Sequence, residues 1–351
     1  MNKSIHGGDR YRNKITLDFS VNVNPLGIPE NIKKIYINLI DKLEYYPDLT
    51  NMNLRSKLAE KLKVPQNYLV FGNGASELLM AVVRTVKPKK IVLPVPSFVG
   101  YEHVLSGESC EVIYCPMNEE YSLDNTILEM LDEEVDLLFL TNPNNPTGRY
   151  VDNNLLTDIL DRCKTYNIKV ILDECFMELS DDCVKHTHIR HIDRWPNVLL
   201  IRAFTKTYAI PGIRLGYLIC SDTQFISEIV KNIPEWNISV IAQELGEILL
   251  DEDDYIIRAV RLIKKEREYL TEELMKLDCK VVDSNTNFIL FTNNKNATDW
   301  YNLLLDEGIL VRECSNYKGI KDGFYRIAVR RHEDNKKLIR TMKQIITNTD
   351  K

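Results

Sequence analysis

The sequence predicts an α/β fold, with a mostly parallel central sheet flanked by helices and followed by a smaller α+β region. Short, nearly continuous apolar runs alternate with amphipathic segments along most of the chain. This alternation is typical of strands that are covered by helices on both faces. No internal repeat and no low-complexity tract interrupts it.

The central sheet is predicted from seven apolar runs bounded by turn-forming residues. These runs cover residues 68–71, 90–93, 111–115, 136–141, 168–172, 198–203 and 216–220. A helix is expected over 51–63, where leucines recur every fourth residue. Another is expected over 76–86, with Ser76 placed either to cap the helix or to bind an anion at its N-terminus.

The pattern changes after a long charged stretch at 251–277, whose acidic start suits a helix N-terminus. Further strands are predicted at 288–291, 309–312 and 324–329, with a helix near 298–307. Much of the first 30 residues is rich in Asn, Gly and Pro, as in an extended arm. We therefore predict an arm at 1–44 that packs on the small domain, a large domain at 45–250 and a small domain at 251–351.

The charge balance bears on the partners of the chain. Its 351 residues include 45 basic and 51 acidic side chains, for a net charge of −6. Nucleic acids and anionic membranes need a basic surface, so we expect neither as a partner, while a local basic pocket for a small anion stays open. Eight scattered cysteines without a CxxC pair predict reduced thiols. We see no signal peptide or membrane span, and expect a cytoplasmic protein.

Two turns after predicted strands carry small polar residues. The segment 72–77, Gly-Asn-Gly-Ala-Ser-Glu, lets backbone amides approach a phosphate at a helix N-terminus, although a tight turn without a ligand fits equally well. The segment 142–148, Asn-Pro-Asn-Asn-Pro-Thr-Gly, is a rigid polar loop at the carboxyl end of a strand, where α/β folds bind ligands. A plain turn is the alternative for this segment.

Three charged residues stand at strand ends or shortly after them. Asp173 ends an apolar strand, where a carboxylate is unfavourable without a cationic partner, unless it caps a helix. Lys206 follows another strand, where burial would lower its pKa and make it a Schiff-base nucleophile; the alternative is a solvated surface lysine. Arg214 lies eight residues later and is available to bind a phosphate.

The joint order of these motifs resembles the fold-type-I pyridoxal-phosphate (PLP) aminotransferase family, and the resemblance runs over nearly the whole chain. It implies that Lys206 binds PLP covalently and shuttles protons. Asp173 would pair with the ring nitrogen, so that the ring acts as an electron sink. Asn145 would hydrogen-bond the phenolic oxygen of the ring, and Phe98 would stack on the ring.

The resemblance also implies how phosphate and substrate are held. The residues expected at the PLP phosphate are Ala75, Ser76, Thr205 and Arg214. Tyr46 would reach the phosphate of the neighbouring subunit, which implies a homodimer. Arg326 would hold the carboxylate of the substrate.

Two positions depart from the family pattern. Ala203 stands three residues before the lysine, where a serine is usual, so one phosphate hydroxyl is missing. Phe176 stands three residues after the aspartate, where aminotransferases have a tyrosine that donates to the ring oxygen. The loss of that donor weakens the prediction of ordinary transaminase activity.

Within the family, four segments resemble decarboxylases that act on L-threonine O-3-phosphate in cobalamin biosynthesis, and Phe176 matches them too. The segments are 6–9, 22–27, 312–317 and 325–330. The residues expected to bind substrate are His6, Gly7, Asn24, Arg312 and Arg326. His6 and Arg312 could form a site for a dianionic phosphate, unless His6 is merely a mobile terminal residue. Asp9 replaces the usual asparagine, and Arg330 lies too far along its strand to be assumed a ligand, with a surface salt bridge as the alternative.

The resemblance implies α-decarboxylation of O-phospho-L-threonine to (R)-1-aminopropan-2-ol phosphate and CO₂. Because PLP enzymes cleave whichever Cα bond stands perpendicular to the ring, a histidinol-phosphate-type aminotransferase using 2-oxoglutarate or glutamate is the alternative. Phosphoserine stays open as an additional substrate.

A non-catalytic PLP-binding regulator would need an added DNA-binding domain, for which the chain has no residues to spare. Three histidines at 186–191 lack a clear fourth ligand, so we expect no metal.

Overall fold

The structure, a computed structural model, describes residues 7–293 and 298–349 and alternates strands with helices over most of that length. The strands are β1 (Leu17–Asp18), β2 (Leu69–Gly72), β3 (Lys90–Val95), β4 (Glu111–Pro116), β5 (Leu137–Thr141), β6 (Lys169–Asp173), β7 (Val198–Ala203), β8 (Gly216–Ile219), β9 (Cys279–Val282), β10 (Phe288–Asn293), β11 (Ile309–Leu310), β12 (Arg312–Glu313) and β13 (Phe324–Ala328).

The α-helices vary from single turns to a helix of 24 residues. They are α1 (Glu30–Tyr36), α2 (Met52–Leu62), α3 (Ala75–Val86), α4 (Gly100–Leu105), α5 (Thr126–Glu129), α6 (Asn153–Thr165), α7 (Cys183–His186), α8 (Phe204–Thr207), α9 (Thr223–Val230), α10 (Val240–Leu249), α11 (Asp253–Lys276), α12 (Trp300–Asp306) and α13 (His332–Thr349). Short 3-10 helices cover Ile37–Glu44, Gln66–Tyr68, Met177–Leu179 and Ile189–Arg194. None of the described helices is both long and apolar enough to cross a membrane.

The central sheet has seven strands in the order β2-β8-β7-β6-β5-β3-β4. Strand β8 runs antiparallel to β2 and β7, and the other neighbouring strands pair in parallel. The prediction of a mostly parallel sheet flanked by helices is therefore confirmed. Because parallel strands end at the same edge, the turns that follow β2, β3, β5, β6 and β7 meet there.

Both faces of this sheet are covered, as the continuous apolar runs predict. On β6, Val170 and Leu172 pack into one cluster with α2, α6 and α10, whereas Ile171 packs into a second cluster with α3, α4 and α9. Successive side chains of a strand point to opposite faces, so a fully apolar strand needs a helical layer on each side. These two layers fix the sheet edge that carries the polar turns.

The C-terminal part forms a second, antiparallel sheet in the order β12-β13-β10-β9. The N-terminal arm joins this part, because β1 pairs in parallel with β11, with Leu17 opposite Ile309. Phe19 of the arm is fully buried in the same apolar cluster as Trp300. The arm is thus held by packing on the C-terminal part.

One local expectation was wrong, and one pair of alternatives was narrowed. Residues 309–312 do not form one strand: β11 pairs with β1, and β12 pairs with β13, so the chain passes from one sheet to the other at Val311. Ser76 does not cap its helix, since α3 begins at Ala75 with Gly74 at the cap position and no side-chain cap. Helix α13 and strand β9 were not predicted, although α13 alternates apolar and charged residues in the manner of an amphipathic helix.

The two-sided packing leads to a stability prediction. Ile171→Ala removes a fully buried side chain from the middle of β6 and should lower the free energy of unfolding by about 2–5 kcal/mol, through lost burial and a cavity. Ile257→Ala, at a half-exposed position on α11, is the matched control and should change it by less than about 0.5 kcal/mol. Urea unfolding followed by circular dichroism measures both. Equal losses in the two variants would contradict the buried position of β6.

Candidate active site

A cavity of about 240 Å³ opens at the carboxyl edge of the central sheet. The structure brings most of the residues expected at the site to its wall. These are Gly7, Ala75, Ser76, Phe98, Asn145, Asp173, Thr205, Lys206, Arg214, Arg312 and Arg326. They come from strands, helices and turns separated by up to about 320 residues of sequence, and only the fold brings them together.

Lys206 lies on α8, the single helical turn that follows β7. The next residue, Thr207, donates a hydrogen bond from its hydroxyl to Glu178 Oε2 at 2.7 Å, which fixes this turn. Burial, together with the nearby guanidinium groups of Arg326 and Arg214, lowers the pKa of the Lys206 amine to about 8. An amine with this pKa is largely neutral in mildly alkaline solution and can act as a nucleophile.

Asp173 ends β6 and is almost fully buried at the cavity wall. Its Oδ2 accepts a hydrogen bond from the hydroxyl of Tyr101 at 2.7 Å, and its Oδ1 accepts one from the backbone N–H of Cys175 at 2.9 Å. Within residues 7–293 and 298–349, no side-chain cation forms an ion pair with it. A buried carboxylate that faces a cavity in this way suits a cationic ring nitrogen of a ligand.

The next residue, Glu174, has a cationic partner within the protein. Arg202 donates to Glu174 Oε2 from Nη2 at 2.7 Å and from Nε at 3.1 Å, and both residues are buried. Arg202 Nη1 also lies 3.5 Å from Glu178 Oε1. Local sequence does not predict the pairing of Glu174 with Arg202, because it depends on the register between β6 and β7.

The turn between β2 and α3 forms a cradle for an anion. Gly74 has a positive φ of 77°, and a Cβ added to it would lie 2.4 Å from Arg214 Nη2. A Cβ added to Gly216 would lie 2.8 Å from the backbone nitrogen of Ala75. These close approaches place a guanidinium beside the N-terminus of a twelve-residue helix, whose first N–H groups have no intrahelical partner. With the hydroxyls of Ser76 and Thr205 on the same wall, the donors fit a phosphate group.

Arg326 and Arg312 also line the cavity. They are direct cross-strand neighbours on β13 and β12, so both side chains stand on the same face. Arg326 donates to Asn145 Oδ1, to the Tyr317 hydroxyl at 3.3 Å and to the carbonyl oxygen of Ser20 at 3.0 Å. Its Nε is buried and has no hydrogen-bond partner in the described part of the chain.

The amide oxygen of Asn145 thus accepts from Arg326, and the amide nitrogen is the group that can donate a hydrogen bond to a ligand. Arg312 donates to Asn316 Oδ1 at 2.7 Å and lies over the ring of Tyr317, with 5.3 Å from Cζ to the ring centroid. Together with the acid at Asp173, the nucleophile at Lys206 and the phosphate cradle, these donors fit the cofactor that the resemblance implies.

The departures from the family pattern also lie at the cavity. Phe176 lines it and packs edge-to-face on Phe288, with ring centroids 5.0 Å apart, while the Lys206 ammonium lies 6.0 Å from the Phe176 ring. Ala203 lines the same wall. The structure therefore presents apolar surface at the two positions where the family usually places hydroxyl groups.

Two of the expected site residues do not line the cavity. Asn24 is buried, and its side chain donates to the carbonyl oxygen of Thr207 at 2.8 Å and accepts from the N–H of Leu26 at 2.9 Å. It therefore ties the arm to the lysine turn, and both of its amide groups are occupied within the protein. Tyr46 is 81% exposed and packs on Trp236 at the surface, with ring centroids 5.0 Å apart.

His6 lies outside the described residues. Asp9 does not line the cavity, and its Oδ2 lies 3.9 Å from Nη1 of Arg12. Arg330 lies beyond the end of β13 and donates to Asp334 Oδ2 at 3.0 Å, so the salt-bridge alternative describes it.

His186 stacks on Tyr150 with ring centroids 3.9 Å apart. The described residues contain no group of three or more His, Cys, Asp or Glu arranged to hold a metal ion.

Sequence reasoning missed several residues of the wall. They are Ser20, Val21, Asn22, Leu79, Thr141, Cys175 and Tyr317. Some carried a signal: Thr141 ends a strand at the same edge, and Asn22 and Tyr317 lie in segments already singled out for their resemblance. The buried Oδ1 of Asn22 has no partner within the described residues. Only the fold shows that these positions face the ligand.

The sequence matches the aminotransferase class I and II family over residues 14–342. It is 33% identical to the threonine-phosphate decarboxylase of Salmonella typhimurium, an alignment that covers 94% of this chain and 91% of the relative. It is 32% identical to a histidinol-phosphate aminotransferase of Clostridium novyi, with 96% and 92% covered. The crystal structure of the histidinol-phosphate aminotransferase from Clostridium acetobutylicum superimposes with a TM-score of 0.89 at 30% identity, covering 95% of this chain and 99% of that one.

The family match spans most of the chain, and the relatives include a decarboxylase as well as aminotransferases. The arrangement of acid, lysine and phosphate cradle agrees with that assignment. The chain therefore belongs to the aminotransferase class I and II family, with pyridoxal 5′-phosphate as its cofactor.

Proposed function

We propose that this enzyme catalyses the PLP-dependent α-decarboxylation of O-phospho-L-threonine, giving (R)-1-aminopropan-2-ol phosphate and CO₂ for cobalamin biosynthesis. The observation that carries the proposal is the pair of arginines on the cavity wall. Arg312 and Arg326 face the cavity side by side, in addition to Arg214 at the cofactor-phosphate cradle. Two further guanidinium groups suit a substrate with two anionic groups, and phosphothreonine carries a phosphate and a carboxylate.

The hydrogen bonds of Arg326 support this interpretation. Its two terminal nitrogens are held by protein acceptors, while its buried Nε has no partner in the described residues. A buried donor without an acceptor is unfavourable by about 1–3 kcal/mol, so an anionic group beside it would remove a penalty as well as add an attraction. We propose that the substrate carboxylate takes this place, and that Arg312 binds the phosphate with His6 and Gly7 of the arm.

We propose that the cofactor is held by the residues brought together at the sheet edge. Lys206 would bind it covalently, Asp173 would contact the ring nitrogen, Asn145 would donate to the ring oxygen and Phe98 would lie against the ring. Its phosphate would be bound by Ala75, Ser76, Thr205 and Arg214. When bound, PLP supplies an electron-withdrawing ring that stabilises negative charge at the substrate Cα.

The remaining chemistry belongs to side chains of this chain. Decarboxylation breaks the bond between Cα and the carboxylate and releases CO₂. A proton then forms a new Cα–H bond in place of the broken one. The two arginines would hold both anionic ends of the substrate and so set which Cα bond is presented for cleavage. The Lys206 amine, with its pKa lowered to about 8 by burial, can carry the proton that Cα receives.

A histidinol-phosphate-type aminotransferase is the second candidate, and a specific observation favours it as well. Glutamate, the amino donor of such an enzyme, carries two carboxylates that the same arginine pair would fit. The relative from Clostridium novyi is nearly as similar as the decarboxylase. Phe176 supports decarboxylation, because it leaves the cofactor ring without the hydroxyl donor that aminotransferases have at this position.

We propose that the protein is a homodimer in which Tyr46 reaches the cofactor phosphate of the other subunit. Tyr46 lies in an exposed apolar stretch, and large apolar patches on a surface mark interfaces. The exposed residues of this stretch are Tyr36, Ile37, Ile40, Leu43, Tyr45, Tyr46 and Leu49.

We also propose the division into an arm at 1–44, a large domain at 45–250 and a small domain at 251–351. All eight cysteines are free thiols, which supports a cytoplasmic location.

The function is tested with purified, PLP-loaded enzyme and two substrates. We expect O-phospho-L-threonine to release CO₂ and to give a phosphorylated amino alcohol, detected by mass spectrometry, while histidinol phosphate with 2-oxoglutarate gives no glutamate. Lys206→Ala should abolish the reaction and the visible band of the lysine-bound cofactor. Glutamate formation without CO₂ release would assign the enzyme to the aminotransferase alternative.

The role of Arg312 leads to a second prediction. Arg312→Gln removes a charged donor to the substrate phosphate, so kcat/KM for phosphothreonine should fall by about tenfold to a hundredfold, since a hydrogen bond to a charged group contributes about 1.5–3 kcal/mol. Arg340→Gln, on the exposed face of α13, is the control and should leave kcat/KM unchanged. The visible spectrum checks that both variants retain PLP. A change of less than threefold in the Arg312 variant would remove this residue from the substrate site.

The lowered pKa of Lys206 leads to a third prediction. Cofactor attachment needs the neutral amine, which predominates above the pKa, so the rate at which apoprotein binds PLP should rise about tenfold from pH 7 to pH 9 and then level off. Stopped-flow absorbance measures this rate. Arg326→Gln removes a charge that lowers this pKa, and should move the midpoint to higher pH. A rate that still rises steeply near pH 10.5, the usual range of lysine, would contradict the burial effect.

A further inference from the structure

A chain of buried hydroxyl groups leads from Asp173 through Tyr101 to Thr141. Tyr101, on α4, is fully buried. Its hydroxyl lies 2.7 Å from Asp173 Oδ2 and 2.7 Å from the hydroxyl of Thr141. Thr141 ends β5, directly opposite Asp173 in the pairing of β5 with β6. Three neighbouring elements therefore meet at one carboxylate.

The direction of these hydrogen bonds follows from the groups involved. An ionised carboxylate only accepts, so the single hydroxyl hydrogen of Tyr101 points to Asp173. The Thr141 hydroxyl must then donate to the Tyr101 oxygen. Burial, followed by the negative charge of Asp173, raises the pKa of Tyr101 well above its ordinary value, so its hydroxyl stays protonated and remains a donor.

We propose that Tyr101 is a positioning residue for the cofactor, and that the relay from Thr141 through Tyr101 fixes the carboxylate of Asp173 in the orientation that meets the ring nitrogen of PLP. With Cys175 N–H donating to the other oxygen, each carboxylate oxygen has one protein donor. Rotation of the carboxylate about its bond to Cβ would break both hydrogen bonds at once. The carboxylate is thereby oriented before the cofactor arrives.

The packing of the Tyr101 ring couples this relay to a second cofactor-facing residue. The ring meets Phe98 edge-to-face, with centroids 5.5 Å apart, and lies against Phe139 of β5 at 5.0 Å. Phe98 lines the cavity and Phe139 belongs to the sheet core. Tyr101 thus connects the core to both the acid and the aromatic side chain expected at the ring. This inference depends on the cofactor of the family and not on which substrate the enzyme takes.

The experiment measures the cofactor without any substrate, so its outcome is independent of the decarboxylation proposal. Tyr101→Phe removes one oxygen and keeps the ring. We expect the apparent Kd for PLP to rise about tenfold or more, as for a lost hydrogen bond to a charged group. The nitrogen-15 signal of ring-labelled PLP should move toward the value of an unprotonated pyridine. Tyr255→Phe is the matched control: Tyr255 is buried and donates to Gly27 O at 2.6 Å, away from the cavity, so both readouts should stay unchanged.

A double-mutant cycle tests the relay itself. Thr141→Val should weaken PLP binding in the same direction as Tyr101→Phe but less, and the double variant should bind as weakly as Tyr101→Phe alone, because the two hydroxyls act in series. Thr141→Ser keeps the hydroxyl and should bind PLP as the unsubstituted protein does. This result would separate loss of the hydrogen bond in Thr141→Val from loss of folding. Additive effects, or an unchanged Kd and nitrogen signal in folded Tyr101→Phe, would overturn the proposal.

Discussion

Asp173 and Lys206 reach the same cavity from the ends of neighbouring strands, and each brings an ionisable group out of water. Taking a charge from water into a protein is unfavourable unless other groups compensate for the lost hydration. For the acid, the Tyr101 hydroxyl and the Cys175 N–H supply that compensation, since both donate hydrogen bonds to its carboxylate. For the amine, burial lowers the pKa to about 8, so that the neutral form is easily reached. The acid and the amine are thereby held in positions that suit the ring of the cofactor.

A second buried network holds the two chain segments that carry these groups. Glu174, next to Asp173, pairs with Arg202, which lies four residues before Lys206. Thr207, next to Lys206, donates to Glu178. Because removal of one partner from a buried ion pair leaves an uncompensated charge, this network resists relative movement of the two strand ends. The acid and the lysine are therefore fixed in relation to each other by residues that never face the cavity.

The substrate wall is built differently, from segments of three origins. The arm contributes the Ser20 carbonyl, the loop after β5 contributes Asn145, and the C-terminal sheet contributes Arg326, which binds both. Asn24 anchors the arm to the lysine turn through the Thr207 carbonyl. A change in the position of the C-terminal sheet would thus move the arm and the substrate arginines together, so the wall behaves as one unit. Its two cross-strand arginines place two positive charges side by side at the cavity.

The sequence by itself determined the layered α/β fold, because continuous apolar strands need helices on both faces. It also placed the lysine, the acid and the glycine-rich turn at strand ends, because these groups follow apolar strands within a few residues. Only the tertiary structure decided which groups pair across long distances: Tyr101 with Asp173, Arg202 with Glu174, and Arg326 with Asn145. It also showed that Asn24 does not line the cavity and that Asn22 and Tyr317 do. Local patterns encode the face on which a residue lies, whereas the register of strands and the path of the arm, which arise from the packing of the whole chain, select its partner.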